Sequence, residues 1–191
     1  MRIERDIINK FKEWKDAEKH KPILLKGARQ IGKTWAMEEF GRECFDYTAK
    51  FDFDRQKELL SAFTESKEPA RIIKELALYS QVPLVPGKTL LIFDEIQECE
   101  EALNSLKYFC EDAPEWHIIA AGSVQVMRMY PITFKEYLRA SDSQTFNFVE
   151  QIEQPEKLPL IILDKLKSEY RRYMVSGGMP EAAVSMLENQ G

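Results

Sequence analysis

The chain has 191 residues, 44% of them hydrophobic, and its 27 basic and 32 acidic side chains give a net charge of −5. This length and composition suit one globular domain of ordinary size, or one domain with part of a second. The acidic balance argues against a surface that is basic throughout and coats nucleic acid, although it leaves room for a local basic patch.

The N-terminal segment MRIERDIINKFKEWK is charged throughout and has no continuous apolar run. It is therefore typical of neither a secretory signal nor a membrane anchor, and a cytoplasmic location without a membrane partner is expected. Cys44, Cys99 and Cys110 lack a CxxC spacing and suit reduced thiols. His20 and His117 are the only histidines, so no zinc site of recognisable spacing is predicted.

Apolar periodicity and helix breakers predict helices that alternate with strands along the chain. The predicted elements are a leading amphipathic helix over 3–18, a strand over 22–26, a helix over 34–42 that ends near Gly41, a partly exposed strand over 45–54, two helical stretches over 55–79 broken near Pro69, a buried strand over 89–93, a helix over 98–111 and a buried strand over 117–121. This alternation predicts an α/β fold with a parallel sheet, whose ligands bind at the carboxyl ends of the strands.

The segment GARQIGKT at residues 27–34 matches GxxxxGK[ST] and lies between a predicted strand and a predicted helix. The two glycines let the backbone curl so that its amides, with the N-terminus of the helix, converge on one anion. The lysine adds a charge for the β- and γ-phosphates, and the threonine offers a hydroxyl to magnesium. The alternative is a glycine-containing turn that holds Lys and Thr by coincidence. The predicted nucleotide-binding residues are Gly27, Ala28, Arg29, Gln30, Ile31, Gly32, Lys33, Thr34 and Trp35.

A second motif weakens that alternative, because Asp94 and Glu95 directly follow the apolar run TLLIF. A strand that ends in adjacent acids is typical of a Walker B motif, in which one carboxylate serves the metal and another an attacking water. The pattern assigns Thr34 and Asp94 to a magnesium ion and Glu95 to the role of general base. Ser123, after the last predicted strand, either contacts the γ-phosphate or its water, or is a plain turn serine.

The order of the motifs indicates an ATPase. A complete predicted strand lies in sequence between the phosphate loop and the Walker B strand, as in additional-strand NTPases that use a catalytic glutamate. The sequence contains neither an NKxD guanine motif nor an LSGGQ transporter signature. ATP hydrolysis is the favoured reaction, in which Lys33 stabilises the charge that develops on the γ-phosphate.

Five motifs occur in order along the chain: GARQIGKT, FDEIQ, AAGS, MYPITFKEYL and YRRYMVSGGMPEA. Together they resemble the prokaryotic AAA+ ATPases of the origin-recognition and archaeal-ATPase-like group, and more narrowly those with a GxRQxGKT phosphate loop and a C-terminal domain of unknown function. The resemblance implies a P-loop NTPase three-layer sandwich with a parallel sheet, followed by the start of a helical lid. It also implies ATP and Mg²⁺ as cofactors.

The chain departs from this family between Ser123 and Met129. Only a few residues separate them, whereas a crossover between parallel strands takes about a dozen or more. Either Met129–Pro131 does not join the sheet in parallel, or a loop is missing. The resembling proteins carry a longer segment here that includes an arginine, a candidate finger for a neighbour's γ-phosphate. We therefore expect an omitted loop, which an intact mass equal to 22.3 kDa would refute.

A second departure is the end of the chain at Gly191, where the resembling proteins continue into a lid and another domain, so truncation is expected. The expected domains are a leading helix over 1–20, a P-loop ATPase core over 21–140, and a linker with the start of a helical lid over 141–191.

Some residues keep two interpretations. Arg29 either contacts a phosphate or a partner, or pairs with a nearby acid. Gln97 either supports Glu95 or is an exposed helix-start residue. Arg171 and Arg172 either sense nucleotide from the lid or form an ordinary solvated charge, and the second interpretation is favoured.

Two functions remain open. The first is an ATPase that drives a conformational change on an unknown protein or nucleic-acid partner, with weak turnover in isolation and possible assembly into a homo-oligomer. The second is a nucleotide-gated binding module with negligible hydrolysis. The presence of Glu95 favours the first. A role on DNA rests on the resemblance alone, because no basic stretch or helix-turn-helix pattern supports it.

Overall fold

The computed structural model describes residues 3–18, 20–28, 30–121, 127–152 and 158–188, with only the backbone described at 127 and 128. The chain forms two compact units. The sheet unit comprises Ile7–Gly27 and Gly32–Met129, and the helical unit comprises Met1–Asp6, Ala28–Ile31 and Tyr130–Gly191. Arg29 and Ser123, both predicted site residues, lie outside the described residues.

A five-stranded sheet organises the sheet unit. Its strands are β1 (Ile23–Lys26), β2 (Tyr47–Asp52), β3 (Thr89–Asp94), β4 (His117–Ala121) and β5 (Met127–Arg128). Their order is β2-β3-β4-β1-β5, and every neighbouring pair is parallel. The predicted α/β fold with a parallel sheet is confirmed. In the sheet, β4 lies between β1 and β3. In sequence it is β2 that lies between them, and β2 forms an edge of the sheet.

The burial of each strand matches its place in the sheet. Every residue of β3 and β4 is buried, as expected for parallel strands that are covered on both faces. The edge strand β2 instead alternates, with Ala49 and Phe51 buried and Lys50 exposed between them. These patterns put the carboxyl end of β3, where Asp94 lies, inside the sheet.

Helices cover the sheet. They are α1 (Ile7–Lys15), α2 (Lys33–Cys44), α3 (Leu60–Thr64), α4 (Pro69–Tyr79) and α5 (Glu100–Asp112). One face of β2, β3 and β4 joins α3, α4 and α5 in a core that includes Phe53, Phe63 and Phe93, whose rings meet edge to face at 5.5 to 5.8 Å. Full burial of each such ring contributes about 2 to 3 kcal/mol.

Three of the differences between the predicted boundaries and the structure have a clear structural basis. The leading helix begins at Ile7 rather than Ile3, because Ile3 packs in the core of the helical unit. Helix α2 continues past Gly41 to Cys44. Gly41 does not end this helix; a Cβ there would lie 2.3 Å from Thr48 Oγ1, so glycine lets α2 pack closely on β2.

The third difference concerns the last strand. The segment that pairs in parallel with β1 is Met127–Arg128, and this strand ends before Met129–Pro131. Met129 N donates to Lys26 O at 2.7 Å. The connection at 122–126 lies outside the described residues, so the omitted loop and its arginine remain a prediction.

The helical unit contains α6 (Phe134–Ser141), α7 (Ser143–Glu150), α8 (Leu160–Ser176) and α9 (Pro180–Glu188). Its core gathers Ile3, Ile132, Tyr137 and Ala183. Helix α8 ends at Ser176 with the left-handed Gly177 as its C-cap, and α9 starts at Pro180, a glycine stop and a proline start that suit the two helix ends. No helix in the described part of the chain combines the length and apolar character needed to cross a membrane.

Candidate functional site

The predicted phosphate loop leads from β1 into α2. Gly32 is the N-cap of α2 and has φ 85°, a left-handed conformation that glycine adopts without strain. The first turn of α2 contains no acidic side chain. The amide groups at a helix start, together with the helix dipole, favour a bound anion.

Lys33 supplies a positive charge at this helix start. Its Nζ donates a hydrogen bond of 2.8 Å to Gly27 O, the first residue of the loop. Lys33 follows the phosphate loop in sequence, and this bond directs its side chain back to the first residue of the loop. The ammonium group therefore lies where an anion on the amides of α2 would meet it.

The carboxyl end of β3 meets the start of α2. Thr34 Oγ1 donates to Asp94 Oδ2 at 2.9 Å, and Asp94 is only 7% exposed. A hydroxyl and one carboxylate fit the few protein ligands that Mg²⁺ takes when phosphate and water oxygens complete its octahedron. These two side chains would hold the metal, which would neutralise charge on the nucleotide phosphates.

Lys50 is a neighbour of Asp94 that the sequence did not point to. Its Nζ lies 3.6 Å from Asp94 Oδ2 and 3.0 Å from Glu38 Oε1. Partial burial alone would lower the pKa of Lys50, but the hydrogen bond and charge of Glu38, with the charge of Asp94, raise it above its ordinary value. Lys50 is therefore a cation beside the proposed metal ligand.

Glu95 has an unusual backbone. Its φ is 52°, and for residues other than glycine such left-handed conformations cost about 1 to 3 kcal/mol and cluster at functional sites. Among the described residues Gln30 is the other non-glycine residue with positive φ, at 62°, and it lies in the phosphate loop. Gln97 Nε2 donates to Glu95 Oε2, and Gln97 is also exposed near a helix start, so both interpretations of Gln97 stay open.

The remaining predicted residues fall in different places. Ala28, Gln30 and Ile31 belong to the helical unit. Trp35 is 37% exposed. Arg171 and Arg172 are exposed, and Arg172 pairs with Glu169 at 3.1 Å, in agreement with the favoured interpretation of a solvated charge.

Comparisons with known proteins found one family model and several solved structures that are similar to this chain. A family model described as an AAA domain matches residues 19–138. A single-site variant of RuvB from Thermotoga maritima is 16% identical, with a TM-score of 0.44, over 97% of this chain and 69% of that chain. Another Thermotoga maritima structure, the RuvB Holliday junction branch migration motor, is 15% identical, with a TM-score of 0.41 and the same coverage. No curated protein matches. Because the family model spans more than half of the sequence, this chain belongs to the AAA domain family of nucleotide-binding P-loop proteins.

Proposed function

We propose that this chain binds ATP with Mg²⁺ and hydrolyses it to ADP and phosphate. The observation that carries the proposal is the 2.9 Å hydrogen bond between Thr34 Oγ1 and Asp94 Oδ2. It joins the residue that ends the phosphate-loop motif to the acid that ends the Walker B strand. A loop that held Lys and Thr by coincidence would have no reason to meet a buried carboxylate at this point.

Each side chain then has a defined task. Lys33 binds the β- and γ-phosphates and stabilises charge that develops on the γ-phosphate. Thr34 and Asp94 hold the metal ion. Glu95, the next residue after the metal ligand, accepts a proton from the attacking water.

The test measures ATP binding and phosphate release with Mg²⁺ for the wild type, Lys33→Ala and Glu95→Gln. Lys33→Ala should weaken binding by about a hundredfold or more, because one charged contact to phosphate is lost. Glu95→Gln should keep binding and lower turnover by about 10²- to 10⁴-fold, the usual contribution of a general base.

Two matched controls accompany these variants. Lys26→Ala removes an exposed lysine just before the loop, and Glu98→Gln neutralises an exposed acid just after Glu95. Both should behave as the wild type does. ATP binding that survives Lys33→Ala would remove the proposed phosphate site.

A second candidate function is a nucleotide-gated module that binds ATP and hardly hydrolyses it. The hydrogen bond from Gln97 to the Glu95 carboxylate supports it, because Gln97 competes with water for the acceptor sites of this carboxylate. Under this function Gln97→Ala should raise the rate of phosphate release severalfold. An unchanged or lower rate would favour the hydrolytic enzyme.

The proposal extends to a macromolecular partner, on which nucleotide-driven conformational change would act. A homo-oligomer, in which a neighbour contributes an arginine to the γ-phosphate, would explain weak turnover by isolated chains. Light scattering with and without ATP tests it: assembly should depend on ATP, and phosphate release per chain should rise with protein concentration. DNA association is the alternative, tested by binding to duplex DNA over a range of salt concentrations.

A further inference from the structure

We propose that Arg5 is a positioning residue that holds the phosphate loop in its binding shape through the carbonyl oxygen of Ile31. The inference rests on the proposed function, because it concerns the affinity of the same loop for ATP. Arg5 lies in the N-terminal segment, outside every motif of the nucleotide site.

The Arg5 guanidinium is buried and uses each of its nitrogens. Only 6% of the residue is exposed. Nη1 donates to Ile31 O at 3.0 Å, Nη2 donates to Tyr130 O at 2.6 Å, and Nε donates to Glu136 Oε1 at 3.2 Å. A planar fork with donors in three directions is specific to arginine. Arg5 therefore ties the phosphate loop, the chain at Tyr130 and helix α6 together.

Glu136 is equally well engaged. It is 4% exposed, and its Oε1 also accepts from the Asp6 amide at 2.9 Å. Its Oε2 accepts from the Thr133 amide at 2.8 Å, completing the capping box of α6. A buried ion pair is stable only when its remaining hydrogen-bonding groups are satisfied, and these contacts meet that condition.

The loop needs an external restraint at the point that Arg5 reaches. Gln30 has φ 62° and Gly32 has φ 85°, so two of three consecutive residues are left-handed. Ile31 between them is 1% exposed. A non-glycine residue keeps such a conformation only when its surroundings enforce it. The Arg5 hydrogen bond fixes the Ile31 carbonyl inside this bend, one residue before the glycine that starts α2.

A purely structural role is the competing explanation, and the chain offers a matched control for it. Arg139 also links the N-terminal segment to α6, through Glu4 O at 3.0 Å and Asp6 Oδ1 at 2.9 Å. These bonds join the same two elements and involve no atom of the phosphate loop. Loss of this link should weaken the fold without changing nucleotide affinity.

The experiment measures the Kd of a fluorescent ATP analogue with Mg²⁺, and the thermal unfolding midpoint, for Arg5→Lys and Arg139→Lys. Lysine keeps a positive charge for Glu136, but its three donors sit on one nitrogen and cannot reproduce the planar fork that reaches three separate oxygens. Arg5→Lys should bind the analogue about tenfold or more weakly, the effect of one lost hydrogen bond to a charged group. Arg139→Lys should stay within about twofold of the wild type.

A second variant separates affinity from stability if Arg5→Lys folds poorly. Glu136→Gln retains an oxygen at the same place and leaves Arg5 able to donate to Ile31. It should lower the unfolding midpoint while the Kd stays within about twofold of the wild type. Parallel losses of affinity in Glu136→Gln and Arg139→Lys, or unchanged affinity in Arg5→Lys, would overturn the inference.

The outcomes also distinguish this inference from the proposed function. If the wild type and Arg5→Lys bind the analogue equally well and Lys33→Ala does not bind it, the positioning role of Arg5 is wrong and the proposal of ATP binding stands. A wild type that does not bind the analogue defeats both.

Discussion

Lys50 places a positive charge next to the carboxylate that would bind magnesium. Its Nζ is 3.6 Å from Asp94 Oδ2, and about one third of the side chain is exposed. A cation at this distance opposes the entry of another cation. Because ion pairs at partly exposed sites contribute at most about 1 kcal/mol, the opposition is modest.

We therefore predict that Lys50→Gln lowers the Mg²⁺ concentration that gives half-maximal ATP binding, by about two- to fivefold. A titration of Mg²⁺ at fixed nucleotide, at low ionic strength, measures it. Lys88→Gln is the matched control, since Lys88 pairs with exposed Asp46 at 3.7 Å near the opposite end of β3. An equal shift in both variants would mean that only net charge matters.

At the scale of secondary-structure elements, α2 and β2 approach each other through one glycine. A Cβ on Gly41 would lie 2.3 Å from Thr48 Oγ1 and 2.8 Å from Thr48 Cγ2. Rotation of the threonine cannot move both atoms away, so the backbones would have to separate.

Gly41→Ala should lower the free energy of unfolding by up to about 2 kcal/mol. Overpacking costs about 1 to 3 kcal/mol, and the better helix propensity of alanine returns about 1 kcal/mol. Urea unfolding measures the change. In a Thr48→Ala background the same substitution should cost much less, because the two clashing atoms are gone. An undiminished cost there would show that the glycine serves another purpose.

The elements with strong local signals could be predicted from the sequence. A few neighbouring residues were enough to predict the buried strands β3 and β4 from their apolar runs, the helix break at Pro69 and the phosphate loop. Gly41 misled the prediction of where α2 ends, because a glycine that allows close packing looks like a helix terminator. The capping box at Thr133 and Glu136 was a readable signal for the start of α6.

At the scale of the whole molecule, the contacts that sequence could not predict join distant parts of the chain. Arg5 and Glu136 are 131 residues apart, and Lys50 meets Asp94 only because β2 pairs in register with β3. Such pairs depend on how the elements assemble, and no local periodicity encodes them. The phosphate loop, Asp94 and Glu95 could therefore be predicted from the sequence, whereas the contacts that Lys50 and Arg5 make with the site could not.

The two histidines form another long-range pair, which affects the stability of the folded chain. The rings of His20 and His117 stack at 3.9 Å, and Trp14 packs against both rings edge to face. Within the described residues, neither His20 Nε2 nor His117 Nδ1 has a hydrogen-bond partner. A proton on either ring would place a charge in an apolar cluster with the ammonium-bearing Lys15 nearby.

Burial first, and then the charges of His20 and Lys15, lower the pKa of His117 from 6.5 to about 4. Burial also lowers the pKa of His20. Between pH 6.5 and about 4 the unfolded chain therefore binds more protons than the folded one. Stability from these neutral rings is complete above pH 6.5 and is lost as the pH falls towards 4.

We predict that His117→Phe flattens this part of the pH dependence. The difference in pKa corresponds to about 3 kcal/mol, and solvent screening near the start of β4 reduces it to about 1 to 2 kcal/mol. Urea unfolding at pH 7.0, 6.0, 5.0 and 4.5 should show a wild type that loses about this much more stability than the variant over the range. His20→Phe should flatten the curve as well, because it removes the other ring of the stack. Parallel pH curves for the wild type and His117→Phe would mean that carboxylates, and not the stacked histidines, govern the acid sensitivity of the fold.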